Sequence, residues 1–264
     1  MTRRNMNRFG IIAGALTLAG GIALRADDAL PKAETILDHY IEVTGGKAAY
    51  EKRTSEVATG SFELPAMGVK GAMTRYSDSN NNSYTVIEIP GIGKMEQGET
   101  NGVAWEKSPM TGARVKSGVE KAEALRGSMF NGSLYWRKQY AKVETTGTAA
   151  VNSEDCYKVV LTPAEGGGKP ETNYYSKKTG LLLKSETTVE SQLGEVPAEA
   201  DVNDYKDFGG VMTPAKITQK AAGQEFTITI DTVKVNEAIP ADKFAIPDDV
   251  KALTDKPAAK PIDK

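Results

Sequence analysis

His39 is the only histidine in the chain, so any catalytic set that needs an imidazole must use it. No Gly-x-Ser-x-Gly nucleophile elbow accompanies it, which leaves a Ser-His-Asp or Cys-His arrangement without a visible partner. Cys156 is the only cysteine, so a zinc site built from several His or Cys ligands is unavailable and an internal disulfide is excluded. His39 falls in a helical run and reads as a partly exposed helix residue. Cys156 precedes Tyr157 in a strand-like run and reads as a small buried side chain.

Three other stretches resemble ligand loops, and each departs from the pattern its ligand requires. Glu165-Gly166-Gly167-Gly168-Lys169-Pro170 places proline where a phosphate loop needs Ser or Thr for its metal, and no helix follows. Gly91-Ile92-Gly93 has no third glycine and opens no helix. Asp201, Asn203, Asp204 and Asp207 suggest a calcium loop, but Lys206 stands where Gly is required and Met212 where Glu is required. The expected set is therefore no catalytic residue, no metal and no cofactor. Asn81 and Asn131 each open an Asn-x-Ser sequence, which matters only in a source that glycosylates.

The positive signal is apolar. Trp105, Met110, Met129, Phe130, Tyr135 and Trp136 gather around one segment, and Phe62 joins them as a candidate ligand-binding residue. Thioethers and aromatic rings conform to irregular guests, so these groups suit a lipid-like chain as well as a packed interior. Periodicity does not separate a filled plug from an open pocket.

The elements that must position them are mainly strands. Leu30, Ala33, Ile36, Leu37, Tyr40 and Ile41 form a helical stripe that Gly45-Gly46 ends, and residues 47–53 predict a short second helix. Runs of Val, Ile, Thr and Tyr then predict strands near 54–64, 69–77, 83–89, 93–100 and 102–107. Further strands fall near 141–150, 155–162, 171–176, 181–189, 196–207, 211–221 and 224–237. Short turns such as Asn101-Gly102 and Ala222-Gly223 imply an antiparallel meander. In the last strand Phe226, Ile228 and Ile230 share one face, and the next apolar pair, Val233 and Val235, is out of phase. That slip predicts a β-bulge near Asp231-Thr232, and a dozen strands bent by bulges should curl. Between 108 and 140 the pattern turns helical, near 117–126 and 133–140.

Residues 1–26 read as a secretory signal: Arg3, Arg4 and Arg8, then an apolar stretch from Phe9 to Leu24, then Ala26 before Asp27-Asp28. The competing reading is an uncleaved anchor, but 16 residues fall short of the roughly 20 a span needs. Cleavage would leave 29 basic against 35 acidic residues, a surface that repels nucleic acid and anionic membranes. One domain is expected over 27–252, with a disordered tail from 253 to 264.

Several phrases in order along the chain resemble the LolA/LolB-like superfamily and its outer membrane lipoprotein-sorting relatives. They begin with Ile36-Leu37-Asp38-His39-Tyr40-Ile41 and Thr44-Gly45-Gly46, then Gly91-Ile92-Gly93. Asn101-Gly102-Val103-Ala104-Trp105-Glu106 follows, with Pro109-Met110-Thr111-Gly112. Tyr174-Tyr175 and Gly180-Leu181-Leu182 come next, and Asp204-Tyr205 leads to Gly209-Gly210-Val211 and Pro214. Val235-Asn236 and Phe244-Ala245-Ile246-Pro247 close the set, which spans most of residues 33–250. The resemblance implies a mainly β (α+β) fold, an unclosed β-barrel with helices in its mouth and an apolar cavity for acyl chains. It also implies a lid-locking arginine, for which Arg114, Arg126 and Arg137 are the alternatives. The expected partner is a lipid or lipoprotein acyl chain held by a monomeric periplasmic protein. A structural or signalling module that binds another envelope protein is the alternative. A flat sandwich, or a lumen lined by ionised groups, would contradict the apolar shelter.

Overall fold

A computed structural model describes residues 29–164, 166–191 and 194–254, and from Pro31 onward the chain forms one compact unit. The expected signal segment, residues 1–26, and the tail from 255 lie outside the described residues. Among the described residues, no helix is long and apolar enough to cross a membrane.

The apolar stripe of Ala33, Ile36, Leu37 and Ile41 is buried on one side of α1 (Ala33–Val43). Thr44 ends the helix, its hydroxyl donating to the Tyr40 carbonyl at 2.6 Å, and α2 (Lys47–Glu51) follows. The first meander then runs through β1 (Ser55–Leu64), β2 (Val69–Asp78), β3 (Ser83–Ile89) and β4 (Gly93–Thr100) to β5 (Val103–Ser108) and β6 (Gly112–Val115). A helical insert holds α3 (Gly118–Gly127), a 3-10 turn over Gly132–Tyr135, and α4 (Trp136–Gln139). The second meander is β7 (Tyr140–Val151), β8 (Glu154–Pro163), β9 (Glu171–Ser176), β10 (Leu182–Ser191), β11 (Gly194–Phe208), β12 (Val211–Ala221) and β13 (Gln224–Val235).

Antiparallel pairing of β13 with β1 fuses the two meanders into one 13-stranded sheet, ordered β6-β5-β4-β3-β2-β1-β13-β12-β11-β10-β9-β8-β7. Its edges, β6 and β7, do not pair, so the barrel stays unclosed. Twelve strands were legible in the sequence. β6 was not, because Gly112-Ala113-Arg114-Val115 is too short to show an alternation.

Curvature follows from a simple comparison of lengths. α3 has ten residues and is about 15 Å long. It nevertheless lies against both β5 and β10, which stand eight strand positions apart. In a flat sheet that separation would be about 38 Å at the usual strand spacing. The sheet therefore wraps around the insert.

One device of this curl is the bulge the sequence phase anticipates. Thr59 pairs with Thr232 and Gly60 with Ile230, leaving Asp231 as the extra residue of β13. Ile230 and Val233 thereby both face the hollow, although they stand three residues apart. Extended strands alternate their faces, so Glu56, Ala58, Gly60 and Phe62 of β1 point inward while Val57 and Thr59 point outward.

The outer face has its own cover. A 3-10 turn over Ala241–Phe244 and the helix α5 (Asp248–Thr254) lie on β3, β4 and β6, with Val250 wholly buried. Asp249 accepts from Lys107 at 2.6 Å. Leu253 and Thr254 belong to this helix, so regular structure runs past the expected boundary at 252. Its only buried apolar side chain is Val250, too little for a visible period.

Candidate functional site

α1 and the insert pack together in the hollow and do not fill it. A cavity of about 440 Å³ remains, within the roughly 300–1,000 Å³ of small-molecule sites. Its sheet wall carries Ala58, Leu161, Leu182, Ile217, Ile230 and Val233, and α1 adds Leu37 and Tyr40. The insert contributes Met129, Phe130 and Trp136. A second hollow of about 370 Å³ shares Arg53, Met129, Phe130 and Asn131 with the first as a common wall, and Tyr135 lines it.

The phenols around the cavity are neutral groups. Burial pushes Tyr40 up to about 12, with the neighbouring Tyr50 adding to the effect. Burial likewise raises Tyr175, which meets Tyr40 edge to face, and Tyr140, whose hydroxyl donates to Glu171. Tyr205, raised by burial and by Tyr40, donates to the Leu182 carbonyl at 3.0 Å. The ionised residues on the lining are Arg53, Glu56, Arg75 and Arg126. The lumen is thus neither uniformly greasy nor uniformly charged: it is an apolar wall with a basic corner.

Of the seven sequence candidates, Met129, Phe130 and Trp136 line the larger cavity, and Tyr135 lines only the smaller one. Phe62 continues the inward row of β1 but lies outside both hollows, 5.5 Å from the ring of Phe226. Met110 is 76% exposed in the turn between β5 and β6. Trp105 sits on the opposite face of the sheet. It pairs with Gly98, stacks on Tyr84 at 6.2 Å, and shares its face with Tyr76, whose neighbours Arg75 and Ser77 point into the cavity. Closeness in sequence brought Trp105 into the set; strand phase takes it out.

Residues the sequence reading passed over hold the insert in place. Asn81 Oδ1 accepts from the Phe130 amide at 3.1 Å, and Asn131 Nδ2 donates to the Tyr50 carbonyl at 2.8 Å. The sequence marks Asn131 only as a glycosylation site, and Asn81 as that and as part of the Asn80-Asn81-Asn82 turn. Their positive φ, 60° and 53°, is a turn signal that fits a staple equally well. His39 is exposed and lies near Glu42, 3.4 Å away. Among the described residues no group of three or more His, Cys, Asp or Glu side chains could hold a metal.

The three arginines considered for a lid play different parts. Arg114 joins β6 to β5 through Glu106 at 2.6 Å and to α3 through Glu120. Arg126 donates to the Gly167 carbonyl and lines the cavity. Arg137 ties the insert to α1, with a two-pronged grip on Asp38 at 2.8 and 2.7 Å. Trp136 Nε1 donates to the same carboxylate at 3.2 Å, and the Arg137 guanidinium lies 4.1 Å from the Trp136 ring centroid.

The Arg137 hydrogen bonds hold the Asp38 carboxyl below its ordinary value of 3.8. The clasp's stabilisation is therefore complete above that value and is lost as pH falls through the depressed one. Both partners are half-exposed, so Asp38→Asn should cost only about 0.5–1 kcal/mol at pH 7. Urea melts of the two proteins should converge in acid; a gap that persists at low pH would refute the assignment.

No protein-family model matches the sequence, and no curated protein matches it. Solved structures do. A DUF1329 family protein from Desulfovibrio piger superposes with a TM-score of 0.57 at 13% identity, covering 81% of this chain and 97% of that one. A LolA superfamily protein from Nitrosomonas europaea gives 0.56 at 16% identity, covering 82% and 99%. At such identity the likeness is one of fold. The chain has the fold of a LolA superfamily protein.

Proposed function

We propose that this chain is an exported, non-catalytic binding protein that shelters an acyl chain of a lipid or lipoprotein, as a periplasmic carrier or envelope sensor. The carrying observation is the unfilled hollow beneath α1 and the insert, with aliphatic residues from five strands on one wall. The signal-like residues 1–26 support export, and the fold likeness supports a binding role.

Titration with a fluorescent fatty acid, alongside mass spectrometry of gently purified protein, tests the reading. Ile217 and Ile230 are only half-buried, so a charge there should be tolerated by the fold. Ile217→Asp should weaken probe binding at least about tenfold, because the bound chain would cover an unpaired carboxylate. Unchanged affinity in this variant, or no saturable binding in the parent, would overturn the proposal. The second reading, a module that binds another envelope protein through its sheet, draws on β7. This edge strand is twelve residues long and has a sheet neighbour on one side only. A stable pull-down partner for a protein that takes up no probe would favour it.

A further inference from the structure

Arg53 is 5% exposed and is one of the residues around the cavity, with Nε and one terminal nitrogen fully buried. One terminal nitrogen sits 2.7 Å from Glu56 Oε2 but off hydrogen-bond geometry, and Nε meets no acceptor among the described residues. Arg75 enters from β2, paired in register with Ala58, two residues along the same face from Glu56. Its charge is felt by the buried Glu99, yet it makes no hydrogen bond or ion pair among the described residues. The lining thus carries three arginines and one carboxylate in a protein whose formal net charge is −2. Desolvating a guanidinium is costly unless its donors are filled, so buried N–H groups without an acceptor favour an anion beside them.

We propose that the cavity takes an amphiphile whose anionic head, a carboxylate or a phosphate, is gripped by Arg53 and Arg75. The chain then runs along the Ile217, Ile230 and Val233 wall. This rests on the apolar-shelter reading and adds the head-group chemistry to it. A planar guanidinium matches the two oxygens of such a head, and displaced water leaves the charges paired in a low-dielectric site. Buried Ser77, the register partner of Glu56, adds a hydroxyl to the same corner.

The test compares three probes of one chain length: palmitate, hexadecyl phosphate and the neutral hexadecanol. At least one anionic probe should bind about tenfold or more tighter than the alcohol, with an advantage that shrinks as salt rises. The stronger of the two names the head group. Arg75→Gln removes an unpaired cation and should fold normally, cutting the preference to about twofold through a loss of anionic-probe affinity. Arg53→Gln combined with Glu56→Gln removes the buried pair together, so no orphan carboxylate remains, and should act in the same direction. Equal binding of all three probes, or a full anionic preference in both variants, overturns this inference and leaves the apolar shelter standing. Binding of none overturns both.

Discussion

Replacing Trp105 with alanine should destabilise the fold by about 3–5 kcal/mol and leave acyl-probe affinity where it was. The side chain is 2% exposed, and its indole lies over Gly98 so closely that a Cβ there would come within 2.6 Å of the ring. Tyr84 stacks on it, and Tyr76 stacks on Tyr84 at 6.1 Å. Removing the indole empties the largest wholly buried side-chain volume in the described chain, and aromatic neighbours pinned on strands relax little into such a space. The cavity lies on the other face of the same sheet. Urea denaturation followed by probe titration below the transition separates the two effects. A large loss of affinity from well-folded Trp105→Ala protein would mean that the indole serves the hollow after all.

Gly60→Ala should be nearly as damaging, at about 3 kcal/mol. The bulge at Asp231 drives the β13 backbone against β1, and a methyl group on residue 60 would overlap the Thr229 carbonyl oxygen. Backbone on one side and the paired β2 strand on the other leave no flexible side chain to give way. The clash can be relieved only by straightening the bulge, which would move Ile230 or Val233 off the cavity wall. A drop in the denaturation midpoint with unchanged slope is the expected signature. A midpoint within about 0.5 kcal/mol of the parent would show that the two strands do not approach this closely.

The legible parts of this fold are those written as periodic patterns over many residues. The α1 stripe, the two meanders and the phase slip in β13 are of this kind, since each is imposed by the faces of an element several turns or pleats long. Short elements fixed by tertiary packing were illegible: β6 with four residues, and α5 with a single buried Val250. The insert's aromatic residues were visible as composition, which placed Met129, Phe130 and Trp136 near the cavity but gave Trp105 and Met110 the same weight. Arg53 and Arg75 left no signal at all. An arginine after a short helix and another in a strand look like ordinary surface residues until three-dimensional packing buries the first and half-buries the second beside a cavity.

The unpaired seam between β6 and β7 has a mechanical consequence. Nothing across it is a ladder bond; the insert is fastened by scattered donors such as Asn131 to Tyr50 and the Glu190 amide to Glu123. Dilating the lumen would therefore sacrifice a handful of side-chain fasteners while every strand keeps its neighbours. Breathing and unfolding become separate events, with the stiff staves intact in the first and lost only in the second.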